Sequence, residues 1–575
     1  RYIYSLCTII MAVLTLNDLS GSINHRSPGL LENNQFELLL NTSQAQVGNT
    51  AHRLGSQLFL NAISTGANPI RGLGEFIKSD NTTFLHTVCQ GTLYVNGVGT
   101  WTSQAASEWN TSSEIDMDNY IGRHYMASST ALEWLRYFTE TGASIFAKVW
   151  FPLAATGAGR NTATVDASST ASTLVTTESI FTAEMVGMTI FNTTDTTSNI
   201  ITAYTSGTTV TVGTAINNTW DGDTVEMRID GKYLAVNGAY MLLGGNSVYP
   251  RRVYYSQVAQ GDFAVSTDYF ESSQSITGVT SFGNGRPFVA FSNNTYLVLD
   301  PQSVYVNEVT DYGCTSNKSI VNIKGNIIWL GQGGFYMLSP NQSYPTDISL
   351  VIKNDQTHDD LFYAITQSNF ILAAAGGLDE RYFCALQDLS INVRGQDIDS
   401  CVLEFDASQN NWKIHSYSAG KLGSIFANFT DTTGKYLYAG SYTNGGVFKL
   451  EIPSLYTDKD INDSTNTINS ITQTKHYRFY DKGDSAIRMQ NVLKLHFQYY
   501  SASTITVKYA LDGSSTYTTL TTLPAYTATR WNWEYMDLGE ECKSISLQLE
   551  TLGNFIMYAL GFELQTQAAE GIKGR

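Results

Sequence analysis

The side chains able to do chemistry are dispersed along the chain, and their spacing argues against most reaction classes. Asp359-Asp360 and Glu540-Glu541 are adjacent carboxylates. On strands such neighbours point to opposite faces, whereas acid–base work needs two carboxylates converging on one bond, so both pairs read as solvated surface acids. Asp458, Asp460 and Asp463 offer oxygen donors of the kind calcium prefers. They lack the glycine and distal glutamate of an EF-hand loop and read as solvated acids in a linker. The eight histidines are scattered, with no serine or cysteine partner close in sequence. No Gly-x-Ser-x-Gly elbow, phosphate-binding glycine loop or His-Glu-x-x-His pair occurs. The six cysteines (Cys7, Cys89, Cys314, Cys384, Cys401, Cys542) show no Cys-x-x-Cys spacing. That pattern implies free buried thiols rather than a disulfide framework or a zinc site; Cys384 and Cys401 could still face each other on paired strands. Sequons begin at Asn41, Asn81, Asn192 and Asn428, as chance supplies in a chain rich in Asn, Ser and Thr. No catalytic, cofactor-binding or metal-binding residue is assigned, and no cofactor is expected.

The elements that carry these residues are strands. Over 575 residues, glycine is frequent, proline scarce and aromatics make up 12%, a mixture suited to pleated, half-buried surfaces joined by tight turns. Only 15% of residues are charged, which points to a subunit that hides surface in an assembly. The formal charge is −17, and a sequence-independent DNA binder needs the opposite sign. The basic groupings are Arg251-Arg252 and the spread set Lys475, Arg478, Lys482 and Arg488, too sparse for a phosphate-neutralising stripe. An acidic wall past which DNA slides without sticking is compatible with this balance. The apolar run Tyr2 to Leu16 is too short to span a bilayer, no other segment crosses a membrane, and Met11 reads as the natural start of a domain.

Short apolar runs separated by Gly/Asn turns recur. Phe84 to Cys89, Gln90-Gly91 and Thr92 to Val95 make one such unit; Lys232 to Val236, Asn237-Gly238 and Ala239 to Leu243 make another. Further units lie at Pro287 to Leu299, Ser319 to Leu338, Arg381 to His415 and Tyr436 to Leu450. A loose period of about forty to fifty residues suits four-stranded propeller blades. The expected fold is mainly all-β: a β-propeller with an inserted α+β/β module and a C-terminal β-sandwich. The expected division is an N-terminal arm and first strands (1–60), the first part of the propeller (61–115), an inserted module (116–230), the remainder of the propeller (231–455), a polar linker (456–474) and the sandwich (475–575). Within the insertion, the capping-box spacing of Thr130 and Glu133, with Leu132, Leu135 and Phe138 at helical intervals, predicts a short helix over Thr130 to Tyr137. Ala154 to Thr173 reads as a flexible link, and Thr182 to Glu226 as a small β-module with a hairpin at Ser206-Gly207.

Three stretches resemble a family of tailed-phage proteins, the podovirus-type tail nozzle (tail tubular protein B) and related packaged-DNA stabilisation or tail-hub proteins. They are Asn17-Asp18-Leu19-Ser20-Gly21-Ser22-Ile23-Asn24 followed by Ser27-Pro28-Gly29-Leu30-Leu31; Tyr249-Pro250-Arg251-Arg252-Val253-Tyr254-Tyr255-Ser256; and Ile276 to Val279 through Phe291, with Gly313 to Ser316 and Gly333 to Tyr336. In the first, Gly-Ser-Ile-Asn stands where the family has Gly-Gly-Leu-Asn. The resemblance implies a structural virion protein, a homo-hexameric ring that closes the DNA exit channel, retains the packaged genome and lets it pass on ejection. Its partners would be other tail, portal or adaptor proteins and tail fibres, with double-stranded DNA passing through the lumen unbound. It carries over no catalytic residue, and the expectation is a non-enzyme. Two other readings stand beside it: a receptor- or carbohydrate-binding adhesin of the tail, and a sialidase-like glycosidase. Asp512-Gly513-Ser514-Ser515-Thr516-Tyr517 resembles the Asp-box turns of sialidase-like propellers, but that turn shapes a hairpin and performs no catalysis.

Overall fold

The computed structural model describes residues 11–565 except 20, 22–34, 44–48, 131–132, 150, 153–158, 217–218, 259–260, 283–286, 354–360, 363–364, 388, 394, 418, 479–489 and 528–531. Seven four-stranded antiparallel arrays follow one another along the chain. Blade 1 comprises Ile70–Ile77, Thr83–Cys89, Thr92–Asn96 and Trp101–Ala105; blade 2, Ile115–Tyr120, Arg123–Ser128, Arg136–Phe138 and Ser144–Phe146. Blade 3 comprises Tyr233–Val236, Met241–Gly244, Arg252–Tyr255 and Tyr269–Glu271; blade 4, Gly278–Ser281, Phe288–Phe291, Thr295–Asp300 and Tyr305–Thr310. Blade 5 comprises Val321–Ile323, Asn326–Gly331, Gly334–Leu338 and Thr346–Asp347; blade 6, Ala374–Leu378, Arg381–Ala385, Cys401–Asp406 and Asn411–Ser416. Blade 7 takes Leu422–Asp431, Gly434–Ser441 and Val447–Ile452 from late in the chain and Gly55–Leu58 from its beginning.

The first strands of the blades touch their neighbours in a closed cycle, blade 1 to blade 2 and onward to blade 7, which returns to blade 1. The molecule contains a seven-bladed β-propeller. Its ring is closed by strand exchange across the chain: Phe448 pairs with Leu58 and Lys449 with Gln57. The turns work as their chemistry dictates. Between the second and third strands of blade 1, Gln90 and Gly91 both hold positive φ (52° and 70°), the geometry of a two-residue hairpin turn whose twist matches its strands. A Cβ on Gly91 would also lie 2.0 Å from the Trp109 carbonyl oxygen, so this turn admits only glycine.

Two sheets form the sandwich. One joins Gln490–Ser501, Asn532–Cys542 and Phe555–Gln565 to the early strands Met11–Leu16, Thr42–Ser43 and Thr50–His52. The other runs Phe36–Leu40, Ser470–Thr474, Ser544–Thr551, Ile505–Leu511 and Thr518–Leu523. Val492, Leu495, Phe497, Leu547, Leu549 and Phe562 fill the space between them. The second sheet continues into blade 6 through the parallel pairing of Leu40 with Ile414, giving one ten-stranded sheet shared by sandwich and propeller.

Several boundaries differ from the sequence expectation. Blade 2 occupies residues 115–146, so the inserted module starts after it rather than at Asp116. Of the segment read as a helix, residues 131–132, with Leu132, lie outside the described residues; Arg136–Phe138 is a strand of that blade, and Trp134 bridges Asp230. Glu133 does not cap a helix; it accepts from Asn110 N at 2.6 Å and from the Ser128 hydroxyl. Tertiary partners have overridden a local helical signal. The module itself is a six-stranded sheet ordered Ala163–Thr164, Thr224–Met227, Thr189–Asn192, Thr197–Ser206, Thr209–Val212 and Thr173–Val175, with its hairpin where Ser206 meets Thr209. Of the stretch read as a link, residues 154–158 lie outside the described residues; beyond them Leu174, Val165 and Ala163 are core, so the segment is part of the module. The span 456–474 is no linker either. Thr457–Lys459 and Thr465–Thr467 pair as a hairpin beside Gly55–Leu58, and Ser470–Thr474 is a buried strand of the sandwich. The sandwich also draws in early residues assigned to a separate arm. Among the described residues the one α-helix is Gln367–Leu372, leading into blade 6.

Candidate functional site: the propeller axis and its buried charges

The first strands of the blades face the axis, so their side chains decide what the axis can hold. A cavity of about 440 Å³ lies there, lined by Asp116, Asp118, Asn317, Lys318, Asn322 and Asn428 among others. A second cavity of about 150 Å³ shares Asp116, Asn317, Lys318 and Ile425 with it. These shared residues form a plug. Asn317, on the turn entering blade 5, donates to Asp116 Oδ2 of blade 2 at 2.8 Å and accepts from Val279 N of blade 4 at 3.0 Å. Lys318 Nζ donates to Glu114 at 2.8 Å. The axis is thus crossed by hydrogen bonds that tie together blades far apart in the ring.

Asp116 also accepts from Leu234 N at 2.8 Å. Burial pushes its carboxyl up to about 6 against the opposing pull of those donors. Burial pushes Asp118 up to about 7, with the nearby Asp116 charge adding to the rise. Two carboxyls that protonate near neutrality make the axis a weakly acidic, polar chamber sized for a small molecule. No group of three or more His, Cys, Asp or Glu side chains able to hold a metal occurs among the described residues.

The other buried ionisable groups tie strands together, within a blade, between blades or in the sandwich. His86 and His124 meet Nδ1 to Nδ1 at 2.8 Å between blades 1 and 2, with Phe76 stacked on His124. Burial takes His86 down to about 3 and, with His86 alongside, His124 well below its ordinary value. His415 contacts Glu404 at 2.7 Å, and His52 contacts the Arg53 and Ile468 carbonyls. Glu404 is fully buried; burial would raise its carboxyl, but Lys413, Arg381 and His415 drive it down. Arg53 reaches Asp458 twice, at 2.5 and 3.1 Å, and lies 4.1 Å from the Tyr417 ring centroid. The remaining candidates are placed as follows. Asp458 is buried, correcting its reading as a solvated linker acid. Asp460 caps its own turn, and Asp463 faces Lys459 at 3.5 Å. Arg251 and Arg252 share the one carboxylate of Glu271, at 3.0 and 3.9 Å, and Arg252 packs on Tyr249 and Tyr269. Asn41 and Asn192 are buried and cannot be glycosylated in the folded chain. Cys384 pairs with Leu403, so Cys401 is its diagonal neighbour; both thiols are free and buried. His25, His358, Asp359-Asp360, Lys482 and Arg488 lie outside the described residues.

No family model matches the chain, and no curated protein matches it. Solved structures similar to it include a chain of a mitotic checkpoint complex, with TM-score 0.37 and 7% identity over 68% of this chain and 93% of that one. Sqt1 of Saccharomyces cerevisiae gives TM-score 0.37 and 8% identity over 70% and 100%. Hsv2 of Kluyveromyces lactis gives 0.28 and 9% over 60% and 97%. The blade count rests on the strand pairing of this chain.

Proposed function

We propose that the chain is a structural protein of a tailed-phage virion, a wedge of a homo-hexameric ring around the DNA exit channel. The observation that supports this most is the ten-stranded sheet running from blade 6 into the sandwich. A sheet shared by propeller and sandwich resists rotation of one against the other, as a wedge in a closed ring requires. A propeller leaves only short outer edges exposed, and heterologous contacts between such wedges close by rotation. The outer strand of blade 4, Tyr305–Thr310, is such an edge, with Val304, Tyr305 and Val306 exposed. Because the propeller axis is plugged by Asp116, Asn317, Lys318 and Glu114, the DNA path in this reading is the lumen between subunits. The net charge of −17 suits a wall that DNA passes without sticking. Negative-stain imaging of the purified full chain tests the proposal. Sixfold rings support it; monodisperse monomers at micromolar to tens-of-micromolar concentration overturn it.

A further inference from the structure

A separate cavity, away from the propeller axis, lies on the sandwich. It measures about 360 Å³ and is lined by Glu37, His476, Arg478, Ser514, Tyr517 and Lys543, with neighbouring polar residues. Glu37 distinguishes it. The pairing of Phe36–Leu40 with Ser470–Thr474 slips between Phe36 and Leu38, which leaves Glu37 as the extra residue of a β-bulge. Bulges re-aim side chains, often beside functional sites. Glu37 is 6% exposed, lines the cavity, and has no hydrogen-bond or ion-pair partner among the described residues. A carboxylate on the cavity wall without a protein donor offers a cationic ligand a charge-assisted hydrogen bond.

The rest of the wall is built and polar. Asp512 and Gly513 hold positive φ (54° and 80°), and Ser514 N closes the turn on the Leu511 carbonyl at 2.9 Å. Asp512 Oδ1 is engaged by Lys543 N at 2.7 Å and Ser544 N at 3.1 Å, so the second carboxylate of the cavity serves its own loop. His476 Nε2 meets the Ser514 carbonyl at 3.2 Å, and the Tyr517 hydroxyl meets Ser546 at 2.7 Å. Arg478 and Lys543 are exposed residues that also line the cavity.

We infer that this cavity binds a small zwitterion of amino-acid size, its ammonium on Glu37 and its carboxylate on Arg478 and Lys543. The volume falls in the range of small-ligand sites. Charge-assisted hydrogen bonds at both ends fix the orientation. This site is independent of ring assembly, so its failure leaves the virion reading untouched, and the reverse holds too.

The test is calorimetric titration of the full chain with L-glutamine, N-acetyl-L-glutamine (no ammonium) and L-glutamine α-amide (no carboxylate). Saturable one-to-one binding of L-glutamine, at least tenfold weaker for each blocked form and in Glu37→Gln, supports the assignment. Lys543→Gln, at an exposed position, should weaken L-glutamine severalfold and leave the α-amide unchanged. If Glu37→Gln fails to fold by circular dichroism, the Lys543→Gln comparison decides alone. No saturable binding of L-glutamine overturns the inference, as does equal affinity in the variant that decides. Binding of the α-amide as tight as the parent would show that the site reads an ammonium alone, and it too overturns the zwitterion.

Discussion

Replacing Arg53 by methionine attacks the ring closure at its most buried point. In the native chain Arg53 donates to both Asp458 oxygens, to Asn41 Oδ1 at 3.1 Å, to the Ser416 carbonyl at 2.9 Å and to the Leu54 carbonyl at 3.0 Å. Asp458 in turn accepts from Ser56 N at 3.1 Å and Ser56 Oγ at 2.8 Å, within the strand that completes blade 7. Methionine fills much of the volume but leaves Asp458 with the two Ser56 donors only. Removing one partner of a buried pair costs about 3–5 kcal/mol, because the other charge stays buried and uncompensated. The loss should fall on the local opening that detaches Gly55–Leu58 from Val447–Ile452. At about 1.4 kcal/mol per factor of ten, amide hydrogen exchange at Gln57, paired with Lys449, and Phe59, whose N–H donates to the Val447 carbonyl, should quicken by roughly 10² to 10⁴. Replacing both members, Arg53→Met with Asp458→Leu, removes the charge as well as its partner and should restore most of the protection. Exchange in Arg53→Met within threefold of the native rate would refute the reasoning. So would a double variant no better protected than the single one.

Other perturbations follow from the same buried groups. The His86–His124 pair is held neutral, with folded-state pKa values below the ordinary one; its stability contribution is complete above about pH 6.5 and lost as pH falls toward 3. The variant His86→Phe/His124→Leu should therefore flatten the acid limb of melting temperature against pH, and an unchanged limb counts against the pair. Asp118 works with the opposite sign: its raised carboxyl favours the fold while protonated and penalises it as pH rises through about 7. Asp118→Asn should raise stability at pH 8 by about 1–3 kcal/mol relative to its effect at pH 4, read by denaturant melts at both values. Gly91→Ala meets both a positive φ and the Trp109 carbonyl at 2.0 Å, and should cost about 2 kcal/mol or more; a neutral melt would mean that the turn can be rebuilt.

The parts of this fold legible in the sequence are those fixed by neighbours. Gln90-Gly91, Asn237-Gly238 and Lys324-Gly325 sit between apolar runs, and each marks a hairpin of a blade. What stayed hidden was set by residues hundreds of positions apart. Nothing local distinguishes Gly55–Leu58 as the outer strand of blade 7, because its partners begin at Val447. Asp458 looks like a solvated acid until Arg53 is brought against it. Arg136–Phe138 follows a convincing helical spacing but is drawn into a sheet by Tyr125 and Ile145 on either side. Glu37 lies in a run of leucines, and only a one-residue slip in strand register turns it toward a cavity. The axial carboxylates Asp116 and Asp118 carry no motif at all; their alternation with Met117 is the one signal that they share a strand face.

Closing the ring with Gly55–Leu58 also sets an order of events during synthesis. Roughly 390 residues separate Leu58 from Val447, so at about 5–20 residues per second the early strand waits roughly 20–80 s for its partner to leave the ribosome. Joining ends so far apart costs about 5 kcal/mol of chain entropy if the intervening chain is still flexible, and far less once blades 1 to 6 have stacked and brought the ends near. The nascent chain therefore gains by building the arc first and fastening it last. Until then the open edge of the early strand is a pairing site for any passing strand, and production of this protein should depend strongly on keeping that edge covered.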